Sequence, residues 1–261
     1  MSKAIKRNKW VIWLDVIFAL FTREIRTGFN DKFGISWAVI EPLIFIFILS
    51  FIRSLFGGPY THSMPTFVFM AYGMFLIQTF LTTLNACTTS IKKNKSLFAF
   101  RQVKPISAVL AAGMFELLVK VFVMLSILLT MYFMDIEVRI DNPLMLLAYA
   151  ISLWWLATML GMLFAVAIMF VPEVGKIKGI LTRPLFFMSA VFFSIQDVPR
   201  EYWPYLDWNP ILHAIELSRY SAYTSYGQEG VNPQYFFSFV LTTTFIALAC
   251  YQTYWRRGIN K

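Results

Sequence analysis

The sequence predicts an all-α polytopic membrane protein, and three observations carry that prediction. Of its 261 residues, 58% are hydrophobic and the mean hydropathy is +0.62, which leaves too little polar side chain to cover a soluble fold of this size. Apolar stretches of about twenty residues recur, the length a helix needs to cross about 30 Å of hydrocarbon. Between them, Lys and Arg gather in alternate connecting segments, the bias that orients membrane proteins. The net charge of +9 also suits nucleic-acid binding, but no folded basic domain carries it, so topology explains it better. Cys87 and Cys250 sit in separate apolar stretches and give no disulfide framework.

The chain begins with Lys3, Lys6, Arg7 and Lys9, followed by an apolar run that Asp15 interrupts and Arg23, Glu24 and Arg26 close. No small-residue cleavage site follows, so the run is not read as a signal peptide. At helical spacing Trp10, Trp13, Leu14, Ile17, Phe18, Phe21 and Ile25 share one side, and Asp15, Ala19, Thr22 and Arg26 the other. That pattern predicts an interfacial helix over 10–30 on the cytoplasmic leaflet. Spacing suits a plain anchor and a helix framing a substrate entrance equally well.

The first span is predicted at about 37–56. Glu41-Pro42 lies near its start, where a proline in the first turn is harmless and one further in kinks the helix. Arg53 and residues 57–60 form an outer turn, and the second span covers about 65–91. Residues 92–105 combine Lys92, Lys93, Lys95, Arg101 and Lys104 with Leu97, Phe98, Phe100 and Val103. An apolar patch rimmed by charge predicts a docking surface over headgroup anchoring alone.

The third span, about 106–134, contains Glu116 and Lys120. A charge at the bilayer centre costs about 3 kcal/mol on the insertion scale, so neither side chain is expected to face lipid. Their i, i+4 order favours a pair along one helix face over a polar feature of a transport path. An acidic outer loop follows with Asp135, Glu137, Arg139 and Asp141, then a fourth span at 143–170 and an inner loop at 171–183. In that loop the Gly175 to Gly179 spacing is a weak packing signal, because Lys176 and Lys178 lie between.

Residues 181–196 are apolar but too short for an unstrained crossing. Residues 197–227 are too polar to span, yet carry Tyr202, Trp203, Tyr205, Trp208, Tyr220, Tyr223 and Tyr226, residue types that settle at membrane interfaces. The expectation is a segment over 197–231 that lies at the headgroups or dips back in. Pro199 opens a first short helix; Asn209-Pro210 supplies a cap and a first-turn proline for a second. Ile211, Leu212 and Ile215 make its apolar face, with His213, Glu216 and Arg219 largely elsewhere. A last span covers about 234–255.

This layout puts 18 of the 23 Lys and Arg inside, four outside (Arg53, Arg139, Arg200 and Arg219), and Lys120 within a span. Both termini are therefore predicted cytoplasmic, which requires an even number of crossings; six fits. The whole chain, 1–261, reads as one transmembrane domain with no separate soluble unit.

Catalysis has little support. No GxxxxGK[ST] loop is present, so ATP hydrolysis by that route is not expected of this chain. The two histidines, His62 and His213, are not in HExxH spacing, and no metal cluster stands out. His213 and Glu216, three apart, predict a hydrogen-bonded interfacial pair rather than a general base.

Three strings carry a more specific signal: 183–187 (RPLFF), 192–194 (FFS) and above all 208–219 (WNPILHAIELSR). They resemble the end of the membrane permease of ABC-2-type polysaccharide exporters, closest to the capsular polysaccharide branch, and the resemblance runs the length of the chain. It implies an ABC-2 (type V exporter-like) architecture of six transmembrane helices, an N-terminal interfacial helix framing the entrance, and periplasmic re-entrant helices between spans five and six. It implies a homodimer that works with two ATP-binding cassette subunits, which hold the ATP and Mg2+. The cargo is a lipid-linked polysaccharide, passed to periplasmic and outer-membrane partners from a Gram-negative inner membrane.

On that resemblance Lys92, Lys93, Lys95, Leu97, Phe98, Phe100 and Arg101 occupy the place of the helix that couples to the ATPase. The candidate path or gate residues are Trp37, Glu41, Tyr72, Trp203, Trp208, His213, Glu216 and Tyr220, with Glu41 at the entrance; aromatic faces suit sliding sugars, although burial explains most aromatics equally well. Rival readings are an exporter of O-antigen, teichoic acid, lipid or drug, and a membrane enzyme of glycan assembly, which needs a carboxylate or histidine cluster.

Overall fold

Prolines and polar caps divide the apolar runs into helices. The computed structural model describes residues 8–29 and 34–259, so Lys3, Lys6, Arg7, Lys32 and Lys261 lie outside the described residues. Eight α-helices follow in order: α1 Lys9–Phe29, α2 Gly34–Gly57, α3 Thr66–Lys93, α4 Pro105–Phe133, α5 Pro143–Phe170, α6 Val174–Met188, α7 Pro210–Ala222 and α8 Pro233–Ile259. Proline occupies the first turn of α4, α5 and α7, where its missing N–H leaves no intrahelical bond unmade. Asn142 and Asn209 cap α5 and α7, accepting from the backbone N–H groups of Met145 (3.3 Å) and Ile211 (3.0 Å).

Five of these helices, α2, α3, α4, α5 and α8, are long and apolar enough to cross a membrane. Helix α6 has 15 residues, about 22 Å at the helical rise, and falls short of the hydrocarbon thickness. It begins seven residues before the predicted fifth span and stops at Met188, well before 196, so much of the predicted inner loop is helical. Ala190, with φ at 56°, turns the chain out of the helix, and residues 189–194 continue without regular structure into a 3-10 turn at Ile195–Asp197. Pro42 lies in the third turn of α2 rather than its first, and is buried.

Helix α3 is the centre of the molecule, with α2, α4, α5 and α7 packed around it, α8 against α5 and α1 against α4. Small residues permit the close approaches. A Cβ on Gly161 of α5 would stand 2.5 Å from Cβ of Cys87 on α3, and one on Gly113 of α4 would stand 3.0 Å from the Thr158 hydroxyl. Interhelical hydrogen bonds reinforce them: the Trp154 indole donates to the Gly113 carbonyl at 2.8 Å and that of Trp155 to the Thr244 hydroxyl at 3.0 Å. The Gly175 to Gly179 spacing has no such role within this chain, since nothing stands within 4 Å of a Cβ on Gly179.

Helix α1 divides its apolar arc. Ile17 and Leu20 are buried, with Leu20 against Ala108 and Ala111 of α4, while Trp10, Leu14 and Phe18 are exposed along its outer side. Helix α7 departs from the amphipathic expectation, since every residue from Pro210 to Arg219 is buried. Its polar side chains find partners inside the protein, so no face is left for water.

Candidate functional site

At the end of the bundle that holds the α6–α7 connection, Arg219 organises the irregular chain. Its guanidinium, with 0% side-chain exposure, donates to Glu216 at 2.8 Å and to the carbonyls of Ala190 (2.7 Å), Val191 (3.0 Å) and Phe69 (3.1 Å). It also lies 3.5 Å from the centroid of the Phe69 ring. Glu216 in turn accepts from the Tyr226 hydroxyl at 2.9 Å and from the Ser194 hydroxyl at 3.0 Å. Of the guanidinium nitrogens only Nε finds no acceptor, and a buried ion pair held by this many further hydrogen bonds is costly to break from either side. Here it ties 189–194 to α7 and α3.

Nearby, Asp197 touches His62 at 2.7 Å and accepts from the Ser194 N–H at 2.9 Å. Burial pushes its carboxyl up, but these bonds and the Arg53 charge hold it below the usual carboxylate range. The fourth positive charge assigned to the outer loops, Arg219, is therefore an interior residue.

A polar face runs along the C-terminal half of α3. Gln78, Thr82, Asn85 and Thr89, at i, i+4, i+7 and i+11, are all outside the buried core. Thr82 and Thr89 return their hydroxyl protons to the helix carbonyls of Gln78 (2.9 Å) and Asn85 (3.1 Å), which leaves oxygen lone pairs facing outward. Lys178 of α6, itself buried, donates to the Asn85 side chain. On α4, Glu116 lies beside Thr82 and acts on the charge of buried Lys120, which Glu41 of α2 also reaches. Glu116 and Lys120 are thus members of a polar cluster spread over four helices rather than a pair isolated on one.

At the C-terminal end of α3, one turn beyond Thr89, Lys93 bonds Glu24 of α1 at 2.5 Å, and Arg23 bonds the Asn94 side chain. The next residues form a 3-10 helix, Lys95–Ala99. Leu97, Phe98 and Val103 turn inward against Leu20, Ala108 and Ala111. The predicted apolar patch is therefore mostly the packing of this segment onto α1 and α4; Phe100 remains 64% exposed, with Lys92, Lys95 and Arg101 exposed around it.

The other residues singled out from sequence fall in several places. Trp37 and Glu41 are exposed on α2. Tyr72, on α3, lines an apolar groove of about 340 Å3 shared with α4 and α5, whose lining includes none of the polar-face residues. Trp203 packs beside Ile195 and Leu212 with its indole N–H on the Val198 carbonyl at 2.8 Å; Trp208 is exposed, and Tyr220 is half-buried against the core. His213 and Glu216 do not pair. His213 accepts from the Asn232 N–H through Nδ1 at 3.1 Å, so Nε2 carries the proton toward the Asp207 carbonyl at 2.6 Å. Burial pushes this imidazole below its ordinary value. The polar face of α3 was missed from sequence, although its spacing was a readable signal.

A bundle with five helices long and apolar enough to cross a membrane, and a polar face on the central one, has the build of a polytopic membrane protein. The chain belongs to the ABC-2 type transporter family, whose profile matches residues 15–223. It is 36% identical to the polysialic acid transport protein KpsM of Escherichia coli, over 90% of this chain and 92% of that one. It is also similar to the capsule polysaccharide export inner-membrane proteins CtrC of Neisseria meningitidis serogroup B, 25% identical over 78% of this chain and 77% of that one, and BexB of Haemophilus influenzae, 28% identical over 78% of each.

Proposed function

We propose that this chain is the permease subunit of an ATP-driven exporter that carries a lipid-linked capsular polysaccharide out across a Gram-negative inner membrane. The observation that carries the reading is the polar face of α3, in a chain related over nine-tenths of its length to a polysialic acid transport protein. A polymer of hydroxyl groups needs hydrogen-bond partners it can exchange as it slides. Gln78, Thr82, Asn85, Thr89 and Lys178 offer donors and acceptors of that kind inside the hydrocarbon, where a polar side chain without a function is costly.

In this reading two copies face each other across the path. Helix α2 supports that arrangement: Ile40, Ile44, Phe47, Ile48, Phe51 and Leu55 are exposed around it, more lipid-like surface than one packed helix leaves open. Both termini lie in the cytoplasm, α6 is the fifth of six crossings and α8 the last, and 197–231 dips into the outer leaflet. ATP and Mg2+ are held by separate cassette subunits, which dock on the 92–105 segment through Phe100 and its basic neighbours. Periplasmic and outer-membrane partners receive the polymer.

The test is deletion of the gene in its own cell, followed by complementation. Polymer made but trapped inside, and released by the wild-type chain but not by Lys178→Met at equal membrane abundance, is the expected result. Normal export by Lys178→Met removes the polar face from the path. Loss of polymer synthesis on deletion points to an enzyme of assembly, and unchanged surface polymer to another cargo.

A further inference from the structure

A second cavity, of about 690 Å3, opens where the first turns of α1, the start of α4 and the last turns of α8 meet, with no residue of α3 in its lining. Among the described residues its charged lining consists of three cations, one from each element, Lys9, Lys104 and Arg256, with no carboxylate. Its walls are aromatic. Trp10 and Trp13 meet edge to face with centroids 5.8 Å apart, and Tyr251 stacks on Trp255 at 5.9 Å with an interplanar angle of 8°. The Arg256 guanidinium sits 5.5 Å from the Trp255 ring. The Tyr251 hydroxyl accepts from the Ile106 N–H at 3.3 Å, pinning α8 to the first turn of α4 and fixing the cavity's floor.

Tryptophan and tyrosine at the ends of membrane helices mark the headgroup level, and lysine and arginine there attract anionic lipids. We infer that this cavity binds one anionic phospholipid of the adjoining leaflet, its phosphate among Lys9, Lys104 and Arg256 and its glycerol and upper acyl chain along the aromatic walls. Three cations with no acid among them favour a lipid of net negative charge over a zwitterionic one, whose ammonium group they repel. The site fastens the interfacial helix α1 to the bundle through a lipid. The inference rests on the proposed reading only in placing that leaflet on the cytoplasmic side.

Native mass spectrometry of the full-length permease, titrated with phosphatidylglycerol and with phosphatidylcholine, tests it. The wild-type chain is expected to retain one phosphatidylglycerol with a preference of about tenfold or more. The combined variant Lys9→Gln, Lys104→Gln, Arg256→Gln should lose that preference, while neutralising Lys92, Lys95 and Arg257 instead should keep it. Equal retention of both lipids by the wild type, or an unchanged preference in the first variant, overturns the site. So does an absence of lipid preference together with protection of Lys9 and Lys104 from acylation by the purified ATPase subunit, which makes the cavity a protein-docking surface. Labelling of Arg256→Cys by an impermeant maleimide from the outside of intact spheroplasts would overturn only the cytoplasmic placement.

Discussion

Oε2 of Glu24 lies 2.5 Å from Nζ of Lys93, and this contact joins α1 to the last turn of the central helix, α3. The glutamate is nearly buried, at 11% side-chain exposure, whereas the lysine is half open to solvent. Glu24→Lys should therefore lower thermal stability by about 1–2 kcal/mol, more than an exposed pair contributes. The double reversal Glu24→Lys, Lys93→Glu should recover part of that loss and of export. A double variant no better than the singles would mean the contact does not couple α1 to the end of α3.

Arg219 is the most demanding side chain in the fold. Arg219→Met strands Glu216 and removes the donors that hold the carbonyls of 190, 191 and 69, so a loss of about 3–5 kcal/mol is expected. Arg219→Lys keeps the charge but lacks the planar fork that reaches these acceptors together, and should recover only a minor part. Thermal unfolding of purified variants checks this; near wild-type stability of Arg219→Lys would show that charge alone suffices.

Gly161→Ala places a methyl group 2.5 Å from Cβ of Cys87 and 3.2 Å from the Leu84 carbonyl, neither of which is the end of a flexible side chain. Helices α3 and α5 must separate, at about 1–3 kcal/mol. Gly179→Ala, where no atom lies within 4 Å, should instead leave the isolated subunit unchanged or stabilise it by up to about 1 kcal/mol. Equal melting temperatures for the two variants would contradict the close α3–α5 approach.

His213 predicts a pH dependence. Burial lowers its folded pKa from 6.5, so below that value the unfolded chain binds the proton more readily and stability rises with pH. The stabilising contribution is complete above 6.5 and is lost as pH falls through the depressed folded value. Protonation also ends acceptance of the Asn232 N–H by Nδ1. Melting temperature should drop between about pH 7 and pH 5. In His213→Gln the drop should be smaller; an unchanged slope would assign it to another group.

Much of the candidate site was readable in part. The polar residues of α3 stand at helical spacing in plain sequence, yet none is charged or aromatic, so a search guided by those types passes over them. The role of Arg219 could not be read, because its acceptors lie 28, 29 and 150 residues away and are backbone carbonyls, which sequence does not distinguish. The same holds for Leu97, Phe98 and Val103: apolar residues among lysines look like a docking patch until α1 and α4 are there to cover them.

By itself the sequence determined that this chain lives in a membrane, where its long helices begin and end within a few residues, and how α7 starts, because apolar length, proline and asparagine act locally. Only the tertiary structure decided that α6 starts at Val174 and stops at Met188, that α7 is buried on every side, and that Glu216 pairs with Arg219 instead of His213. Those outcomes depend on satisfying buried polar groups across distant segments, and such partners exist only once the helices have packed.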